Sequence, residues 1–332
     1  MNIASSISEK TSQNSLSLSE PLLLLCKASA DALRLEILRV LRTESFGVLE
    51  LCRIFNMPQP GMSHHLKILA KVGLLATRRE GNSIFYHRNT QQQTLNEFRK
   101  TLFNAIDKSP LEQSVLEGIK RVQSERSQQS AAFFHKNADK FKEDQDLIAK
   151  FSHYMDSLEE MLEELSEQTR VIEIGPGESP LLNSLAKRFD HVTAIDNSPI
   201  MLEKARMGLS KDLVKKVTFL FGDIESAAQK ATNSFTGVEL IILNMVLHHM
   251  ASPSQFFKIA SEALSKRGKI LIVDLCQHHQ DWAREVCGDL WLGFVPSDLD
   301  HWALDAGMEI GKSAYLGLKN GFQVQLRVFE KK

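Results

Sequence analysis

Long apolar runs are missing from this 332-residue sequence. None approaches the roughly 20 residues that a membrane-spanning helix requires. The longest early run, Leu22 to Cys26, follows a polar start with no basic segment before it, which argues against a secretion signal. Cysteine is scarce too: Cys26, Cys52, Cys276 and Cys287 have no paired spacing. They read as free thiols in a reducing compartment, and the expected location is cytoplasmic. Net charge is nearly absent, at −1, so no strong field covers the whole chain. Its distribution is uneven. Residues 21–130 hold 16 Lys and Arg against 10 Asp and Glu, whereas residues 131–332 hold 23 against 29. A basic front half on a near-neutral chain points to a polyanionic partner for that half alone. The composition, 43% hydrophobic and 24% charged, suits two packed domains.

The most informative stretch runs from Arg170 to Ser184. Val171 to Ile174 is a β-branched run expected to form a buried strand. Gly175-Pro-Gly177 breaks it, and Leu181, Leu182, Leu185 and Phe189 follow at helical spacing. A strand, a glycine turn and a helix N-terminus let backbone N–H groups approach a ligand closely. Such a turn serves a dinucleotide or an adenosyl cofactor. Glu173, just before the first glycine, would repel a pyrophosphate but suits the cationic end of S-adenosylmethionine. Asp196, followed by Asn197, ends the next apolar run and is placed to accept both ribose hydroxyls. Asp223, followed by Ile224, ends a third run, where adenine would lie.

Three acid-ended strands in sequence resemble the class I S-adenosylmethionine-dependent methyltransferases from Arg170 to Glu330. The resemblance implies a Rossmann-like domain with a mostly parallel seven-stranded sheet. The family's loop has small residues in the order Gly-x-Gly-x-Gly; here they are Gly175, Gly177 and Ser179. It also implies that the aromatic segment upstream, with Phe134 and Phe141, covers the cofactor. After Asp223 the alternation continues through Glu239–Leu243, a helix from Pro253, Lys269–Val273 ending in Asp274, and a helix from Pro296. Met308–Lys312 and Phe322–Phe329 are expected to close the sheet as an antiparallel pair.

The front half reads as short helices. Ser19-Glu-Pro21 starts one that runs to about Ala28, and Asp31 caps a second over Ala32 to Leu41. Val48 to Phe55 and Gly61 to Ala70 are two more, separated by a turn at Asn56–Pro60. Leu74–Arg79 and Ser83–Arg88 read as strands joined at Glu80-Gly-Asn82. Two helices, a tight turn and a basic hairpin make a winged helix-turn-helix. Ala28–Leu38 and Met57–Lys67 resemble the bacterial ArsR-type repressors. In that family the second helix of the pair enters the major groove and the hairpin touches phosphates. Carried over, Gln59, Ser63, His64, His65 and Lys67 are the groove candidates, and Arg78, Arg79 and Arg88 the wing contacts, on double-stranded operator DNA. The family's metal-sensing cysteine pair would fall on Gly47 and Leu49, neither of which can ligate. No other metal motif stands out, since His278-His279 lacks further spaced ligands. Thr90 to Asp107 is expected to be a helix with an apolar stripe. With the first helix it would form a homodimer contact.

The expected organisation is a disordered segment over 1–19, an ArsR-type winged helix over 20–106, a helical linker over 107–130 and a methyltransferase domain over 131–332. Asn244, His248, His249, Asp274, His278 and His279 fall at or beyond the ends of the fourth and fifth strands of the latter. There an imidazole could deprotonate an acceptor, and Asn244, His248 and His249 are the catalytic candidates. Two readings stay open: a regulator with a working methyltransferase acting on a small molecule, or a silent methyltransferase domain that senses S-adenosylmethionine or S-adenosylhomocysteine and gates DNA binding. An enzyme that uses its front domain only to dimerise is a third.

Overall fold

The computed structural model describes residues 20–90, 94–165, 170–230 and 237–332. The expected disorder of 1–19 lies outside them. The chain divides into two compact units between Val122 and Gln123. Among the described residues no helix is long and apolar enough to cross a membrane.

In the first unit, residues 20–29 form α1, and α2 (Ala32–Val40) starts where the Asp31 carboxylate accepts from the Arg34 N–H at 2.9 Å. β1 (Phe46–Gly47) leads into α3 (Val48–Ile54), whose Glu50 accepts from the Gly47 N–H at 2.7 Å. α4 (Gln59–Lys71) carries Pro60 in its first turn, so the helix begins two residues before the expected start. Gly73, at φ +71°, stops it. β2 (Leu75–Glu80) and β3 (Ser83–Arg88) form the hairpin, in the sheet order β1-β3-β2. The core gathers Leu38, Leu41, Phe46, Leu51, Met62, Leu66 and Leu69.

α5 (Asn96–Ile106) begins later than Thr90, because Leu95 adopts a left-handed φ of +60° just before it. Residues 91–93 of the expected helix lie outside the described residues. α6 (Gln113–Asn137) starts inside the expected linker. Val115 and Val122 join this unit's core, and a Cβ on Gly118 would stand 2.8 Å from Ile54 Cα. Residues 113–122 therefore belong to the winged-helix core.

The second unit has the last turns of α6, then α7 (Phe141–Ile148) and α8 (Met155–Glu164). Its sheet is built from β4 (Arg170–Ile174), β5 (His191–Asp196), β6 (Val217–Phe221), β7 (Val238–Asn244), β8 (Leu264–Leu275), β9 (Met308–Gly317) and β10 (Gln323–Lys331). The order is β6-β5-β4-β7-β8-β10-β9. β4 pairs parallel with β5 and β7, and β10 runs antiparallel between β8 and β9. The expected seven-stranded, mostly parallel α/β fold is present. Helices α9 (Leu181–Arg188), α10 (Pro199–Met207), α11 (Lys211–Val214), α12 (Ile224–Lys230) and α13 (Pro253–Ala263) connect the parallel strands, with α14 (Trp282–Val286) and α15 (Pro296–Asp305) before β9. Strand order reverses between β4 and β7, and a crevice at such a reversal is where open α/β sheets bind ligands.

Candidate functional site

On α4, Gln59, Ser63, His64 and Lys67 are exposed, on the face opposite the buried Met62, Leu66 and Leu69. Helical spacing aligns them, since side chains three and four residues apart share a face. His65 is half-buried and lies 3.9 Å from Asp31, so it faces the start of α2 rather than this surface.

Two of the three expected wing contacts need correction. Arg88 is buried: its guanidinium donates to both Asp107 carboxylate oxygens at 2.8 Å, and to the Leu38 carbonyl at 3.1 and 2.6 Å. It also lies 4.4 Å from the centre of the Phe103 ring. It closes the end of α2 against α5 instead of facing a phosphate. Arg78 is likewise buried and pairs with Glu80. Arg79 stays exposed, its Nε donating to the Gly81 carbonyl at 3.0 Å.

In the second unit, Gly175 and Gly177 take φ of +63° and +50°. A Cβ on Gly175 would stand 2.7 Å from Val246 Cγ2, so only glycine fits there. The Ser179 hydroxyl accepts from the Leu181 N–H at 3.2 Å and from Asn244 Nδ2 at 3.1 Å. The serine in the third small position thus takes the first N–H of α9 and ties the loop to β7, across the strand-order reversal.

Glu173 is fully buried, and neither carboxylate oxygen has a hydrogen-bond partner. Burial pushes its pKa up to about 8. Leaving a carboxylate buried without donors is costly. A cationic ligand carrying N–H donors relieves that cost, so the residue fits the amino and sulfonium end of S-adenosylmethionine. Asp196 ends β5, 9% exposed. Burial raises its carboxyl to about 6, against the opposing pull of the Ser198 N–H, which it accepts at 2.8 Å. Asn197 is exposed and Ile224 buried. Asp223 is exposed and caps α12, accepting from the Ser226 N–H at 2.7 Å.

The aromatic segment reaches this edge. Phe134 and Phe141 stack edge-to-face at 4.9 Å, and Phe134 meets the His249 ring at 5.0 Å. Phe141 and Ala138 pack on Met201 of α10. Lys204 of α10 donates to the Ala138 carbonyl at 2.7 Å and to Glu178, in the glycine loop, at 2.9 Å. One cation thereby joins the aromatic segment to the loop.

The histidine candidates separate in character. His248 is 1% exposed, with Nδ1 2.8 Å from Asp274 and Nε2 3.8 Å from Asp289. Burial pulls its pKa down, but the two carboxylates outweigh it and hold the ring at about 9. His248 is thus enclosed between two acids. Burial first, and the charge of His248 next, drag His249 well below the ordinary histidine value. His278 packs on Phe322 at 4.6 Å, and His279 is exposed.

Several residues carried no readable signal. Tyr154 is buried near Asn244. Burial, with Asp146, Asp274 and Glu173 adding to it, pushes the phenol well above its usual range, although the neighbouring Asn244 opposes the rise. Asp289 meets His248 and His249 from 41 and 40 residues away, which no local pattern announces.

Comparison with known proteins agrees with both halves. Residues 165–311 match a family described as "Methyltransferase domain" and residues 30–78 one described as "Helix-turn-helix domain". An HTH-type transcriptional regulator of Methanocaldococcus jannaschii is 42% identical over 64 residues, covering 18% of this chain and 70% of that protein. A ubiquinone biosynthesis O-methyltransferase of Xanthomonas oryzae pv. oryzae is 27% identical over 135 residues, covering 40% of this chain; the chain spans only 54% of that relative. Magnesium protoporphyrin IX methyltransferase from Synechocystis, solved with bound S-adenosylmethionine, is similar at 14% identity and a TM-score of 0.42, covering 55% of this chain and 81% of that one. With a winged helix-turn-helix in front and an acid-lined glycine turn behind, the chain belongs to the ArsR-type helix-turn-helix regulators and carries a class I methyltransferase domain fused to that front unit.

Proposed function

We propose that this protein is a dimeric DNA-binding regulator whose second unit binds S-adenosylmethionine and transfers its methyl group to a small-molecule acceptor. The observation that carries the cofactor assignment is Glu173, a fully buried carboxylate without a donor, two residues before a glycine turn. Asp196 would take the ribose hydroxyls, and Phe134 and Phe141 would cover the bound cofactor. The exposed face of α4 would enter the major groove, with Arg79 on a phosphate. Leu22, Leu23 and Leu24 of α1 are exposed at 38%, 52% and 43%. Together with α5 they supply an apolar surface for a second copy, and a two-fold dimer predicts an operator with half-sites about one helical turn, ~10 bp, apart.

Methyl transfer from a sulfonium can proceed by positioning alone, which suits a site whose two central histidines are poor bases at neutral pH. The same observation favours the second reading, in which the unit only senses its ligand. Calorimetry with S-adenosylmethionine tests the site: a dissociation constant unchanged by Asp196→Ala overturns it. Incubation of the protein with methyl-labelled cofactor and a metabolite extract separates enzyme from sensor, since labelled product appears only for the first. Operator affinity at fixed salt, with saturating S-adenosylmethionine, with S-adenosylhomocysteine and with neither, tests gating. Linkage predicts shifts of ~5- to 150-fold, and three identical constants rule gating out.

A further inference from the structure

His248, His249 and Asp289 bring one ligand atom each within 4.8 Å of one another, and all three are buried. The chain arranges this locally. Met245 takes φ +58°, and Leu247–His249 form a single 3-10 turn. In an extended strand consecutive side chains point to opposite faces. On this turn the two rings instead lie with centroids 4.0 Å apart. The segment that brings Asp289 is tied to the same turn by its backbone. The N–H groups of Leu290 and Trp291 donate to the His248 carbonyl at 3.0 and 3.1 Å, and Trp291 Nε1 donates to the Met250 carbonyl at 2.8 Å. Gly288, at φ +76°, makes the turn before it, where any Cβ would stand 2.3 Å from the Phe133 ring. Asp274 completes the arrangement, accepting at 2.8 Å from His248 Nδ1 and leaving Nε2 directed toward Asp289.

We infer that these three side chains form a binding site for a divalent first-row transition metal ion. Two imidazoles and one carboxylate are a donor set that suits zinc, iron, cobalt or nickel, while magnesium and calcium prefer oxygen ligands alone. A histidine that holds a metal through one ring nitrogen commonly donates its other N–H to a carboxylate, which fixes the ring and its tautomer. His248 already has that partner in Asp274. Bound metal would replace the proton on His248 Nε2 and clamp residues 288–291 to the end of β7. The site does not depend on cofactor binding, so it stands or falls separately from the function proposed above.

The test uses full-length, untagged protein stripped with chelator. Cobalt(II) alone, then zinc(II) alone, is titrated in, with stoichiometry followed by metal analysis and cobalt by its visible absorption. One equivalent per chain is expected, with a melting temperature that rises on binding. Asp289→Asn and His249→Ala should each lose the equivalent. Asp274→Asn should retain it with ~10- to 100-fold weaker affinity. Should a variant fail to fold, X-ray absorption of the cobalt-loaded wild-type protein decides, with two imidazoles and otherwise oxygen ligands expected. Absence of stoichiometric binding by either metal overturns the site. So does binding undiminished in Asp289→Asn and His249→Ala, or a sulfur ligand in the absorption spectrum.

Discussion

The two units differ at one buried carboxylate. In the first, Arg78 has Glu80, Arg88 has Asp107 and the Leu38 carbonyl, and Arg99 reaches the Val72 carbonyl at 2.6 Å. Each cation finds an acceptor within the fold, although Arg99 Nη1 has none. In the second, His248 has Asp274 and Arg327 has Asp300, but Glu173 is sealed from solvent without a donor. A buried charge with partners holds structure together, whereas one without them is tolerated where something outside the chain supplies the match. Sequence composition treats both kinds as charged residues. The partner decides which are architecture and which are site.

The most severe way to break the comparison is Arg88→Ala. Removing one member of a buried pair leaves the Leu38 carbonyl unmatched and Asp107 with only Arg42 at 3.6 Å, and should cost about 3 kcal/mol or more. Urea denaturation of the full chain would reveal it as an early loss of the first unit. Loss of stability below 1 kcal/mol would return Arg88 to the list of surface contacts. Glu173→Gln should act in the other direction. The folded carboxyl titrates near 8, above its unfolded value of 4.5. Its favourable contribution is therefore complete below about pH 4.5 and is lost as pH rises toward 8. The amide variant should be more stable than the ligand-free wild type at pH 8, by on the order of a few kcal/mol, with the gain vanishing near pH 4. Thermal melts across that range check it. The same variant should weaken binding of both ligands through the shared ammonium group, and of S-adenosylmethionine more than of S-adenosylhomocysteine, since only the former also carries the sulfonium charge.

Asp196→Ala ranks next. It removes a charged acceptor for two hydroxyls, worth about 2–3 kcal/mol or roughly 30- to 150-fold in affinity. Calorimetry measures this directly. The smallest effect expected is Arg79→Ala, a few-fold weakening at physiological salt that is equal for all DNA sequences and lowers the salt slope by about one. His64→Ala should instead relax sequence preference. If Arg79→Ala and Arg88→Ala altered DNA binding alike with folding intact, the division of the wing into structural and contacting arginines would fail.

These distinctions explain what the sequence could convey. The glycine turn, the acid at the end of each early strand and the apolar face of α4 are written in consecutive residues. Local rules of strand, turn and helix therefore recover them. The antiparallel closing pair was legible for the same reason. Arg88 reads as a wing contact in sequence because its partner, Asp107, lies beyond a hairpin end and a helix, at no fixed spacing. Tyr154 lies near Asn244 from the turn just before α8, ahead of the whole sheet. Asp289 reaches His248 only because residues 288–291 fold back on a turn some 40 positions earlier. Contacts made by topology leave no periodic trace. The late start of α5 hinges on one left-handed residue, Leu95, which propensity disfavours.

Gly118 bears on how such chains can be recombined. Because a methylene cannot fit between this position and Ile54, and because Val115 and Val122 complete the same core, the module ends within α6 rather than in a loop. A fragment cut after Ile106, at the end of α5, would carry an open apolar groove along α3. One cut after Val122 keeps its own lid. A transplanted regulator of this kind has to take ten residues of the next helix with it.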